Sequence, residues 1–112
     1  MSTRVDKPWG YEIIWAQTND YVGKLLHINS GHRLSKQYHQ IKEETIYVLR
    51  GVLYNFDEND ELTRHVPGES LHIKAGQVHR FAAWGITPVE LMEVSTNHLD
   101  DVVRLDDDYE RS

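Results

Sequence analysis

Apolar and β-branched residues fall in short runs along this chain, each closed by turn residues and spaced about ten residues apart. The pattern predicts nine strands: Tyr11–Trp15, Tyr21–Ile28, Leu34–His39, Glu44–Val48, Val52–Phe56, Glu61–Val66, Ser70–Ile73, Val78–Ala83 and Val89–Val94. Between them lie Asn29-Ser30-Gly31, Asp57–Asp60, Pro67-Gly68, Ala75-Gly76 and Ile86-Thr87-Pro88, residue types that favour turns. No segment of helix length carries a helical period. The expectation is an all-β sandwich or barrel, one domain over 1–112, with an arm over 1–10 and an acidic tail over 97–112.

Composition narrows this picture in four ways. At 112 residues the chain can bury a core of its own without staples. It has no cysteine, so disulfide frameworks, thiolate zinc sites and cysteine nucleophiles are excluded. Residues 1–20 hold no apolar run, so neither a leader nor a membrane span is expected, and the expected location is cytoplasmic. The formal charge is −6, with no basic stripe, which argues against a nucleic-acid partner. That charge is local. Residues 90–112 hold eight acids against Arg104 and Arg111, whereas residues 1–89 hold ten charges of each sign.

The candidate chemistry lies in two segments. In Gln37-Tyr38-His39, residues two apart on a strand share a face, so Gln37 and His39 project together. Glu44 follows across a short turn and would head the next strand, and His79 comes just after Ala75-Gly76. Two imidazoles, a carboxylate and an amide oxygen form a donor set for a divalent metal. Taken singly, each of these histidines reads as a hydrogen-bonded rim residue.

As whole segments they resemble the two motifs of the cupins. Gly31-HRLSK-Gln37-Tyr38-His39-QIKE-Glu44-TIYVLR-Gly51 keeps every spacing of the first, with glutamine in place of the first histidine. Gly68-ESLHI-Lys74-Ala75-Gly76-QV-His79-RFA-Ala83 follows the second, with Lys74 and Ala83 in place of its proline and asparagine. The resemblance implies a single-domain double-stranded β-helix, the jelly-roll barrel. A narrower resemblance covers nearly the whole chain. Lys7-Pro8-Trp9-Gly10-Tyr11-Glu12, Ser35-Lys36-Gln37-Tyr38-His39, Pro88–Val94 and Asp101–Arg111 are similar to elements of the cupin domain at the C-terminal end of type II phosphomannose isomerases.

That family implies a metal-dependent isomerase of mannose 6-phosphate and fructose 6-phosphate working through an enediol. Its metal, zinc first with manganese, cobalt, nickel or iron as alternatives, would be held by Gln37, His39, Glu44 and His79. Lys36 and Glu12 are the candidates for the proton-transferring base, although strand alternation should turn Lys36 away from Gln37's face. For the phosphate the candidates are Arg104, at the tail arginine of the family, Lys24, at a shared basic position, and Arg80, next to His79. Arg104 reads equally as a surface ion pair with neighbouring aspartates, and alternation turns Arg80 away from His79's face. The expected partner is a small phosphosugar, and the expected assembly a homodimer that covers sheet edges.

The chain departs from the family at Thr45, where a histidine commonly follows the glutamate, and at Gln40 and Ile41, where further histidines are usual. Any proton transfer by those histidines would be missing here. Two alternatives stay open: a metal-holding sugar-binding cupin without turnover, and a non-haem oxygenase using His39, Glu44 and His79. His27, His32, His65, His72 and His98 are expected to be structural. Trp9, Trp15 and Trp84 are expected as core or interface aromatics, and the tail as a solvated or dimer-contacting segment.

Overall fold

A computed structural model describes residues 2–111. Among them are twelve strands and no helix, hence none long and apolar enough to cross a membrane. In chain order they are β1 (Thr3–Lys7), β2 (Gly10–Gln17), β3 (Val22–Ile28), β4 (His32–Arg33), β5 (Lys36–Tyr38) and β6 (Glu44–Arg50). There follow β7 (Leu53–Phe56), β8 (Leu62–His65), β9 (Ser70–Ile73), β10 (Arg80–Ala83), β11 (Val89–Ser95) and β12 (Val103–Asp106). One sheet runs β1-β2-β3-β11-β6-β9, a second β4-β10-β7-β8, and β12 pairs β5 beside them. Every pairing is antiparallel.

Three elements differ from the pattern-based expectation, each because pairing overrode a weak local signal. The arm is β1, a polar segment made a strand by its ladder to β2 across the turn at Pro8-Trp9. The strand expected over Leu34–His39 shortens to β5, which pairs β12, while β4 just before it pairs β10. The tail is not a free segment, although Leu105, Asp106 and Asp108 stay exposed. It forms β12, then ties down through Asp108 to Arg33 at 2.7 Å and Asp107 to Arg111 at 2.9 Å. Trp9 is core, whereas Trp15 and Trp84 are half-exposed on the outside.

Strand alternation builds the interior. The inward positions are Val22, Lys24, Leu26 and Ile28 on β3, and Val89, Leu91, Glu93 and Ser95 on β11. On β6 they are Glu44, Ile46 and Val48. At one end of these rows Leu26, Ile28, Ile46, Val48, Val89 and Leu91 pack against Leu53, Ile73 and Phe81 from other strands. At the other end the same face presents Lys24, Glu93 and Glu44. The barrel is therefore an oily plug at one end and a charged cup at the other.

Gly51 closes the turn between β6 and β7 at φ 76°, a left-handed conformation. A Cβ there would sit 2.3 Å from the Pro88 carbonyl oxygen. Gly51→Ala should lower stability by at least ~1–2 kcal/mol from the backbone conformation alone, seen as a lower midpoint in thermal unfolding.

Candidate metal centre

The cup holds a cavity of about 250 Å³ lined by Gln37, His39, Glu44 and His79 together with Glu12, Lys24, Lys42 and Glu93. His79 sits beside Gln37 because their backbones bridge, amide to carbonyl in both directions, at 2.9 and 3.0 Å. His39 ends the same run, and Glu44 opens β6 across the loop. His39, Glu44 and His79 are all buried, and their donor atoms lie within 4.8 Å of one another.

The rings are set by backbone carbonyls. Nδ1 of His39 donates to the Asp101 carbonyl, and Nδ1 of His79 donates to the Gln77 carbonyl at 3.1 Å. A carbonyl oxygen can only accept, so each Nδ1 carries a proton and each Nε2 is the ring atom turned toward the cup. Both Nε2 atoms face one carboxylate oxygen, Glu44 Oε1, at 3.4 Å from His79 and 3.7 Å from His39. Ligand bonds of ~2.0–2.1 Å at tetrahedral angles place donor atoms roughly 3.3 Å apart, so the set fits a divalent ion. Gln37 adds an amide oxygen on the cavity wall.

Burial alone would raise the Glu44 carboxyl, but His39, His79 and the Lys42 ammonium outweigh it and hold it well below the usual carboxylate range. It is an ionised ligand. Lys42 Nζ lies 3.2 Å from Glu44 and 3.1 Å from Glu93. These two carboxylates keep its ammonium charged against the opposing effect of burial. Glu93 is pushed up to about 7, first by burial and then by the Glu44 charge, with Lys42 and Lys24 pulling the other way. Lys24 stands opposite Glu93 in the ladder and reaches Glu12 at 3.4 Å from either carboxylate oxygen. A row of alternating charge, Glu12, Lys24, Glu93, Lys42 and Glu44, thus crosses the floor of the cup and ends at the metal donors.

Of the candidates for base and phosphate, the structure gathers Glu12, Lys24 and Arg104 into this cavity, with Arg104 opposite Gln37 in the β12–β5 ladder. Asp106 and Asp108 pair with Arg80. Lys36 and Arg80 lie elsewhere. Lys36 bonds Glu58 and Asp60 outside the cup, and Arg80 is buried against the Leu34 carbonyl, Asp106 and Asp108. Both follow from alternation: each is the immediate neighbour of an inward residue. As base and phosphate ligand they are therefore corrected.

Lys42, Glu93, Lys7 and Arg111 also line the cavity and were missed. For Glu93 a signal existed, since it shares parity with Val89 and Leu91. Lys42 lies in a loop, where parity says nothing. The other histidines have plain partners: His27 bonds Glu90 and stacks on Tyr11, and His72 bonds Glu43.

Two antiparallel sheets closed round an inward-facing donor set define this chain as a cupin, a double-stranded β-helix barrel. It belongs to the family described as mannose-6-phosphate isomerase C-terminal, which residues 1–107 match. Among its relatives is the mannose-1-phosphate guanylyltransferase ManC of Salmonella typhimurium, 35% identical over 99% of this chain and 24% of that protein. The chain spans about a quarter of the length of the curated relatives it matches. A Klebsiella pneumoniae protein with a double-stranded β-helix domain superposes with TM-score 0.73 at 23% identity, over 81% of this chain and 79% of its own. A cupin-superfamily sugar phosphate isomerase from Silicibacter pomeroyi superposes with TM-score 0.71 at 20% identity, over 79% and 59%. At these identities the superpositions speak for the fold.

Proposed function

We propose that the protein interconverts mannose 6-phosphate and fructose 6-phosphate in this cavity, and that it does so in the cytoplasm. One observation carries the reading: two buried imidazoles converge on a buried carboxylate inside a cup whose wall also carries Lys7, Lys24, Lys42, Arg104 and Arg111. Family membership points the same way.

The chemical problem is to remove a weakly acidic proton beside a carbonyl. A divalent ion held by Gln37, His39, Glu44 and His79 would polarise the sugar oxygens and offset the negative charge that develops. Glu12 and Asp100 are the cavity-wall carboxylates outside the donor set and outside the Lys42 pair, and we assign the proton transfer to Glu12, the buried one, with Lys24 beside it. Arg104 would take the phosphate through charge-assisted hydrogen bonds. Thr45 removes nothing from this machinery. It faces outward on β6, opposite Val94 and His72, so a histidine at that position would lie outside the cup.

A coupled assay on mannose 6-phosphate with zinc, cobalt or manganese tests the proposal. Turnover supports it, and saturable binding of fructose 6-phosphate without turnover under all three metals would replace it with a sugar-binding role. Glu12→Gln should lower kcat about 10²-fold, the lower end for loss of a general base. Lys36→Met should leave kcat/KM within about twofold, as expected for an exposed ion pair worth less than ~1 kcal/mol. Steady-state kinetics of the two variants side by side will show whether the base lies inside the cup.

A further inference from the structure

The proposed isomerase does not use the acidic residues of the C-terminal segment, yet one of them reaches the metal donors. In the β12–β5 ladder Val103 faces Tyr38 and Arg104 faces Gln37. Continued two residues further, the same register sets Asp101 opposite Gln40, in the loop that joins His39 to Glu44. There the Asp101 carboxylate accepts three consecutive backbone N–H groups: Gln40 at 3.0 Å, Ile41 at 2.7 Å and Lys42 at 2.8 Å. Its own carbonyl accepts from Nδ1 of His39. Three N–H donors closing on one carboxylate form an anion nest, and each bond is charge-assisted.

We infer that Asp101 is the positioning residue of the metal centre, folding the His39–Glu44 loop around its carboxylate and holding the His39 ring so that Nε2 points inward. One residue thereby controls three groups in the cup. The ring of His39 is oriented through the Asp101 carbonyl, Lys42 is delivered between Glu44 and Glu93 by its clamped amide, and the path from His39 to Glu44 is shaped by the other two amides. Asp101→Ala leaves that main-chain carbonyl in the chain but removes the carboxylate clamp that fixes its place, and loss of what sets a ligating histidine typically changes metal affinity 10–100-fold. The negative charge on the tail is thus partly a structural element of the site rather than surface decoration.

The inference rests on the reading that the cup holds a divalent ion, and cobalt separates the two. Cobalt(II) is titrated into the full chain and followed by its visible absorption, which reports the ligands around the ion. Asp101→Ala should raise the apparent Kd 10–100-fold, and Asp101→Asn, which keeps one acceptor oxygen, should fall between it and the parent. Asp108→Ala is the control. It removes the tail's bidentate tie to Arg33 without touching the loop, and should change cobalt affinity by less than about twofold. Nitrogen-15 spectra of the metal-free protein should show His39 protonated at Nδ1 in the parent and mixed between tautomers in Asp101→Ala.

Equal cobalt affinity in Asp101→Ala and the parent would overturn the inference while leaving the metal reading intact. So would an equal loss in Asp108→Ala, which would mean that any loosening of the tail suffices. A parent chain that takes up no cobalt would overturn the metal reading, and the inference with it. Should Asp101→Ala fail to fold, the intermediate affinity of Asp101→Asn and its His39 tautomer decide the matter.

Discussion

His79→Ala should lower kcat/KM for mannose 6-phosphate by on the order of 10³-fold and leave the barrel folded. A Lewis acid stabilises developing charge by several kcal/mol, and each ~1.4 kcal/mol is tenfold in rate. His79 is the donor whose removal isolates this effect best. It is buried, and its loss leaves the Lys42 contacts with Glu44 and Glu93 in place. The neighbouring strand loses no backbone bond, because the bridge to Gln37 runs through main-chain atoms. Metal content by mass spectrometry, the assay and circular dichroism together check the expectation. A variant that keeps its metal and its activity would remove His79 from the centre. Chelation of the parent should reproduce the loss, and zinc or cobalt should restore activity to the parent but not to the variant.

Lys42→Met should destabilise the fold by about 3–5 kcal/mol, the usual effect of breaking a buried ion pair from one side. The ammonium lies between two buried carboxylates, 3.2 Å from Glu44 and 3.1 Å from Glu93. Without it they face one another in a low-dielectric interior, with Lys24 the nearest remaining cation on the ladder. Lys42→Met/Glu93→Gln should recover most of the loss, since the second change removes one of the stranded charges. Urea denaturation of the two single variants and the double variant gives the coupling energy directly. Simple additivity would mean that Lys42 acts through its hydrocarbon stem rather than its charge. The same cycle distinguishes this floor from surface pairs such as Arg4–Asp6, which are exposed and contribute little.

Much of the site was legible without coordinates, and for a definite reason. Gln37 and His39 share a strand face at a spacing of two, and Gly31, Gly51, Gly68 and Gly76 punctuate the two motifs that carry the donors. Such spacings are local, so a linear reading reaches them. Parity also correctly turned Lys36 and Arg80 outward, although both had been kept as candidates. Lys24 shows where parity stops: it shares a face with Leu26 and Ile28, but only the sheet determines that this face is the inner one. Glu93 had the same clue on β11, hidden in a strand that read simply as apolar. The strands at the two ends, β1 and β12, had no legible signal. Thr3–Lys7 has no apolar run, and the tail is dominated by like charges that solvate well when considered alone.

From the sequence by itself came the all-β fold class, the two glycine-punctuated motifs and the candidate donor set of Gln37, His39, Glu44 and His79. All depend on residue type and short spacing, which fix side-chain direction within one strand. Tertiary structure decided what fills the space between distant strands. It joined Glu12, Lys24, Glu93, Lys42 and Glu44 into one charged floor, and it drew Asp101 across the loop beside His39. Those groups lie up to about eighty residues apart in the chain, and their meeting depends on ladder register, where a slip of one residue would turn every side chain to the opposite face.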